Sequence, residues 1–226
     1  PFSHAGEESM PYINMGSKDR YTHEDYSIAA VKLLFRELIE KHVFGENLGI
    51  KAEDVTALIG DKAVPPTRTS VIWKELISGQ IDADRADYLL RDSLHIGVNY
   101  GLYDRSMLVN CITVGESEEE SCFLAIEEGG WHVAESLVIA RYQMFSQVYF
   151  HPVRRAFDFH LGEAIKEILK KPNSNDGVFP KPITEEDLLK YLEFDDWTMF
   201  NALKSKMGGE HGDIILNRKQ YKCKKA

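Results

Sequence analysis

A chain of 226 residues, 43% hydrophobic and 28% charged, has enough apolar material to bury roughly 70% of its unfolded surface, which excludes a disordered chain, a collagen and a small disulfide scaffold. No apolar run reaches the roughly 18 residues of a membrane helix, since even residues 28–35 are interrupted by Lys32. A formal charge of −9 opposes binding to membranes or bulk nucleic acid, so an anionic small substrate would need a local cluster of cations.

Residues 22–44 read as one long helix. Thr22 and Asp25 form an N-cap pair, Ile28, Val31, Leu34, Leu38 and Ile39 recur at helical spacing, and Gly45 is the expected stop. Further helices are expected over 52–59 up to Gly60, from Ser70 to about Ile77 ahead of Gly79, and from about Ile81 to Leu94. Residues 108–114 and 121–126 read as strands of a hairpin joined by an acidic turn. From Trp131 the helical pattern returns, with Val133, Leu137, Val138, Met144, Phe145 and Val148 on one broad face. Pro152 marks a kink or break before another helix to about Lys171. Residues 171–182 read as a loop, Thr184 caps a helix carrying Leu188, Leu189 and Leu192, and the remainder reads as mixed helix ends and loop. The predicted class is mainly α with one β-hairpin. Pro1 in place of Met leads us to expect a processed or truncated piece of a longer chain. Cys111, Cys122 and Cys223 form no C-x-x-C pair, so the expected location is the reducing cytoplasm.

Three stretches could carry chemistry. On a helical wheel for residues 81–95, Ala83, Ala86, Leu89, Leu90, Ser93 and Leu94 share one side, while Asp84, Arg85, Asp87, Tyr88, Arg91, Asp92 and His95 load the other. Asp84, Tyr88 and Asp92 follow one another at i, i+4 steps. This is either a solvated face of ion pairs or a pocket wall offering a metal ligand, a phosphate partner and a ring for a sugar. The second stretch pairs His4 and Glu7 with His23-Glu24 at a helix start, where an imidazole beside a carboxylate is a usual proton donor; a lone surface histidine is the plainer alternative. In the third, Arg141, Phe145 and Tyr149 are spaced for one helix face, followed by His151, Arg154 and Arg155; a core helix with snorkelling ends explains the same pattern. Neither a P-loop nor a Rossmann glycine motif occurs.

Taken together, Pro1-Phe2-Ser3-His4, His23-Glu24, the run Ile81-Asp82-Ala83-Asp84-Arg85-Ala86-Asp87-Tyr88-Leu89-Leu90-Arg91-Asp92, and residues 141–151 resemble the HD-domain deoxynucleoside triphosphate triphosphohydrolases in order and spacing. That group includes bacterial dGTPases and the animal enzyme with a sterile-alpha-motif domain. The resemblance implies an HD-domain helical bundle with one β-hairpin over residues 1–171 and a partial C-terminal helical lobe over 172–226.

In that family a divalent metal ion (Mg, Mn, Fe, Zn or Ni) is held by a His, a His-Asp dipeptide and a distant Asp, and the resemblance gives the distant position to Asp84. None of the eight histidines here is followed by Asp. The other ligands are therefore expected in a segment ahead of Pro1, unless the metal site has been lost, and the 226-residue chain alone is expected to be inactive. The resemblance also assigns His4 to the phosphates, His23 oriented by Glu7 to protonation of the leaving 5′-oxygen, and Arg85 and Arg141 to the phosphates. Tyr88, Asp92 and Tyr149 would line the deoxyribose, with Tyr149 crowding a 2′-hydroxyl. Glu7 stands where the family commonly has Asp, and Phe145 where some relatives have a pocket His. The implied activity is hydrolysis of a dNTP nucleotide substrate to deoxynucleoside and triphosphate by a cytoplasmic homo-oligomer. Alternatives are an HD phosphohydrolase for another nucleotide phosphoester and a catalytically silent nucleotide-binding scaffold.

Overall fold

The computed structural model describes residues 5–14, 16–64, 68–116, 122–173, 177–219 and 221, with the side chains of 68–71 and 171–173 outside that description. Its architecture is mainly α with one antiparallel β-hairpin. The chain divides into two units, Pro1–Ala52 with Pro152–Ala226, and Glu53–His151.

The first unit opens with a single 3₁₀ turn, Glu7–Ser9, and α1, His23–Leu33. Thr22 caps α1 through a reciprocal box: its hydroxyl accepts from the Asp25 amide, and the Asp25 carboxylate accepts from the Thr22 amide at 2.7 Å. The single helix expected over 22–44 is three pieces, α1, α2 (Arg36–Glu40) and α3 (Val43–Leu48). Gly45 explains the correction. A Cβ there would lie 1.9 Å from the Ile39 carbonyl oxygen, so Gly45 is the point where α3 folds back onto the end of α2. That approach requires a residue without a side chain and a chain that has already left the first helix.

Apart from its first residue, α4, Ala52–Ile59, belongs to the second unit, followed by α5, Arg68–Ser78; Pro65 and Pro66 lie outside the described residues. Next, α6 spans Ala83–Ile96 and ends at Gly97, whose φ of +77° suits the left-handed cap. Leu108, expected in a strand, belongs to α7, Arg105–Cys111. The Asp104 carboxylate accepts from the Met107 amide at 2.9 Å, and Leu108 and Cys111 are both buried. Residues three apart share a helix face but point to opposite faces of a strand, so burial of both selects the helix. The hairpin is shorter than expected: β1 (Ile112–Glu116) pairs with β2 (Cys122–Ile126) in the register Ile112↔Ile126 to Glu116↔Cys122, and residues 117–121 of the acidic turn lie outside the described residues. Glu75 on α5 accepts from the Leu124 amide at 2.6 Å, tying the helix to β2. Then come α8, Trp131–Met144, and a π turn, Phe145–Tyr149. Leu89, Leu108, Val133, Leu137 and Met144 form this unit's core. Val138, expected on the inner face, is exposed.

The chain returns to the first unit at α9, Pro152–Asn173, with proline at the first helical position, where its missing N–H costs nothing. The helix ends two residues past the expected Lys171, and α10, Glu185–Leu192, follows, capped by Thr184 as the sequence indicates. The irregular tail expected after it is instead α11, Asp196–Lys204, and α12, Gly209–Leu216. Each is only about two turns long, too short for a clear periodic pattern. The unit's core packs Ala164, Ile165, Ile168 and Leu169 of α9 with Met10, Tyr26, Phe179, Leu188, Met199 and Leu203. Among the described residues no helix is long and apolar enough to cross a membrane.

Candidate functional site

In the second unit, the start of α6 is built around Asp82. Its side chain is 5% exposed and accepts from the Arg85 amide at 2.6 Å, satisfying one of the orphan donors of the first turn. The Arg85 guanidinium turns back over this cap, 3.4 Å from the other Asp82 oxygen, and donates to the Gly79 carbonyl. Asp82 thus positions Arg85 and the first turn of α6, a role that the helical wheel does not single out. Its signal is present in the sequence, an Asp just ahead of a helical run, but the motif it shares with Asp84 drew attention to the latter. Asp84 is exposed.

The polar face of α6 splits in two. Asp87 and Arg91 are exposed and pair with each other at 2.8 Å, an ordinary surface i, i+4 contact. Tyr88 and Asp92 are half-buried. Asp92 accepts from the Tyr149 hydroxyl at 2.7 Å, and the Tyr88 and Tyr149 rings meet edge to face with centroids 6.0 Å apart. Burial raises the Tyr88 phenol above its ordinary 10.0, the guanidiniums of Arg141 and Arg85 oppose the rise, and Asp82 and Asp84 add to it. Tyr88 is therefore a neutral hydroxyl near pH 7, within the electrostatic reach of two cations. On the opposite side of α6, Leu89 and Ser93 are buried but Leu94, assigned to the apolar side, is 79% exposed: the inner face is narrower than the wheel implies.

Arg141 lies near the end of α8, its guanidinium 5.6 Å from the Phe145 ring centroid. Phe145 in turn meets Tyr149 and Phe150 edge to face, at 5.1 and 5.4 Å. These residues do not share one regular helix, as their spacing suggests. The Phe150 amide donates to the Phe145 carbonyl at 2.9 Å, an i→i+5 bond that inserts one extra residue into the last turn. A continuous α-helix would follow buried Met144 with Gln147 and Val148 on the inner side. The π turn instead directs Val148 and Tyr149 against the core and leaves Ser146 and Gln147 exposed. The Tyr149–Asp92 bond depends on that shift.

In the first unit, His23 is the first residue of α1. Its Nδ1 lies 2.9 Å from Glu7 Oε1 and its Nε2 3.1 Å from Glu24 Oε1, so two carboxylates hold the ring. His4 lies outside the described residues. No group of three His, Cys, Asp or Glu side chains able to hold a metal ion occurs among the described residues. Asp84 and its described neighbours therefore do not by themselves make a metal centre.

A family model described as the HD associated region matches residues 103–225, more than half of the chain. An uncharacterized protein of Methanocaldococcus jannaschii, MJ1154, is 46% identical over 98 residues, 43% of this chain and 22% of that protein. The Deoxynucleoside triphosphate triphosphohydrolase SAMHD1 homolog of Dictyostelium discoideum is 28% identical over 170 residues, 74% of this chain and 30% of that protein. The chain thus spans less than a third of the length of either relative. The crystal structure of a hypothetical protein from Aquifex aeolicus shares the fold, with a TM-score of 0.61, 22% identity, and coverage of 98% of this chain and 61% of that one. By the match over residues 103–225, the chain belongs to the HD-associated region family and is linked through it to HD-domain proteins.

Proposed function

We propose that this chain is the downstream part of an HD-type hydrolase that converts deoxynucleoside triphosphates to deoxynucleoside and triphosphate, with residues 1–171 as its HD-type domain and 172–226 as a C-terminal lobe. Support comes first from the Tyr149–Asp92 hydrogen bond. It joins a phenol and a carboxylate, groups suited to sugar hydroxyls, beside Tyr88 and within reach of two guanidiniums suited to phosphates. The 28% identity to a protein named for this reaction adds to it.

The roles are assigned within each unit. In the second, Asp92 and Tyr88 take the sugar, the Tyr149 ring excludes a 2′-hydroxyl, and Arg85 and Arg141 take the phosphates. In the first, His23, held by Glu7, donates a proton to the leaving 5′-oxygen as water adds to the α-phosphorus and the P–O5′ bond breaks; His4 is assigned to the phosphates. A divalent cation belongs to the proposal, with Asp84 as one ligand and the others contributed from outside the described residues, as do a homo-oligomeric state and a cytoplasmic location. Product analysis tests the reaction: full-length protein with each dNTP and Mn²⁺ or Mg²⁺ should release deoxynucleoside and triphosphate in equal amounts. Release of orthophosphate or of a monophosphate, or binding without turnover, overturns it.

A further inference from the structure

Away from these residues, the first unit contains a buried histidine pair. His160 of α9 is 0% exposed, and its Nδ1 lies 2.8 Å from Nδ1 of His211 on α12. Phe159 flanks both rings at 5.5 and 5.6 Å, and Tyr221 packs on His160 at 4.5 Å. Two imidazole nitrogens this close make a hydrogen bond only when one carries a hydrogen and the other a lone pair. His160 Nε2 is buried with no partner among the described residues, which selects the tautomer. A bare lone pair there costs less than an unmet N–H. His160 therefore carries its hydrogen on Nδ1 and donates to His211, whose own hydrogen is on Nε2.

No added proton is harmless in this arrangement. On His160 it must go to Nε2, giving a buried charge and an unmet donor. On His211 it must go to Nδ1, where two N–H groups then face each other. Shifting the His160 hydrogen to Nε2 relieves that clash but again leaves an orphan donor. Other charged groups on the packed elements do little to offset these costs. From α12, Glu210 favours the charged form of His160, but less than burial and His211 oppose it, so the ring is held below its ordinary 6.5. On α9 itself, Glu163 is paired with Lys166, which also reaches Glu8 of the 3₁₀ turn, and Asp158 is paired with Arg154 and Arg155. Lys204 of α11 lies over the Phe200 ring, and the Tyr221 ring meets His160 edge to face.

We propose that the His160–His211 contact is a proton-released latch, fastening α12 to α9 while both rings are neutral and letting α12 go when the pair takes up a proton. The sign follows from linkage: the closed form binds fewer protons than the open one, so closure is fully favoured above the ordinary imidazole range and weakens as pH falls below about 6.5. The opening equilibrium should rise about tenfold per pH unit below that point for each ring that protonates only on opening, until the closed pair itself protonates.

Amide hydrogen exchange of the full chain, corrected for intrinsic rates, tests the latch. Protection across Gly209–Leu216 should fall at least about tenfold between pH 7.5 and 5.5. In the doubly substituted His160→Asn, His211→Asn protein, whose amides keep a donor and an acceptor at the δ positions without titrating, it should stay flat. Equal pH dependence in the two proteins, or none in the wild type, overturns the proposal. Should the double variant not fold, imidazole ¹⁵N shifts of the wild type decide: Nδ1 of His160 protonated at pH 7.5, with His160 titrating below its ordinary 6.5, supports the latch, and titration of His160 at its ordinary value refutes it.

Discussion

The hydroxyl of Tyr149 reaches Asp92 from 57 positions away in the chain, and this single contact turns a polar helix face into a candidate sugar pocket. If the ring excludes a 2′-hydroxyl by bulk, discrimination is repulsive and should relax when the ring is shortened. Tyr149→Val should narrow the dNTP/NTP ratio of kcat/KM about tenfold, whereas Arg141→Ala should lower kcat/KM for both triphosphates alike, by roughly 10- to 100-fold. Melting temperatures measured alongside separate the site from the core: an unchanged ratio in a well-folded Tyr149→Val protein makes Tyr149 a packing residue only. A second pair of substitutions separates proton donor from metal ligand. In full-length protein His23→Ala should retain bound metal and lose roughly 10²- to 10⁴-fold in turnover, while Asp84→Ala should lose metal and turnover together. Metal analysis showing equal loss in both variants would remove His23 from the donor role.

At the scale of elements, the π turn after α8 has the most direct consequence. It absorbs one residue while keeping Val148 and Tyr149 on the inner side. Deleting the exposed Ser146 should let the helix continue in α geometry with those two residues still three and four positions beyond Met144, the inward spacing of an α-helix. The shortened protein should therefore fold, melt no lower than wild type, and keep its dNTP preference. Loss of that preference would show that the π geometry itself shapes the pocket. The caps are legible in the sequence: Thr22 with Asp25 and Thr184 with Asp187 are pairs three positions apart whose donors and acceptors are fixed by local spacing. The break at α2 is not, because Gly45 reads as a helix stop unless the position of the Ile39 carbonyl is known.

For the whole molecule, the two units each carry a separate buried core, and Asp84 lies in one and His23 in the other. Among the described residues no three potential ligands converge; if the proposed cation takes Asp84 together with ligands from other segments, residues 1–226 alone should bind Mn²⁺ weakly and leave every dNTP intact. Titration calorimetry and product analysis check both, and tight metal binding by this chain would contradict the proposal that Asp84 is one ligand of a site completed by other segments.

Composition and local pattern determined the mainly helical class, the helix over 52–59, the Thr22 and Thr184 caps and the existence of the hairpin, since each depends on residues a few positions apart. They also determined which residue types a phosphate and sugar site could draw upon. Which of those residues face inward was decided only in three dimensions. Asp87 and Arg91 have the same helical credentials as Tyr88 and Asp92, yet one pair meets solvent and the other meets Tyr149. Leu108 became helical because its burial with Cys111 outweighed the β-like composition around it. His160 and His211, 51 positions apart, show no pattern at all along the chain. Their chemistry exists only because packing α12 on α9 brings two nitrogens to hydrogen-bonding distance and excludes water from one of the rings.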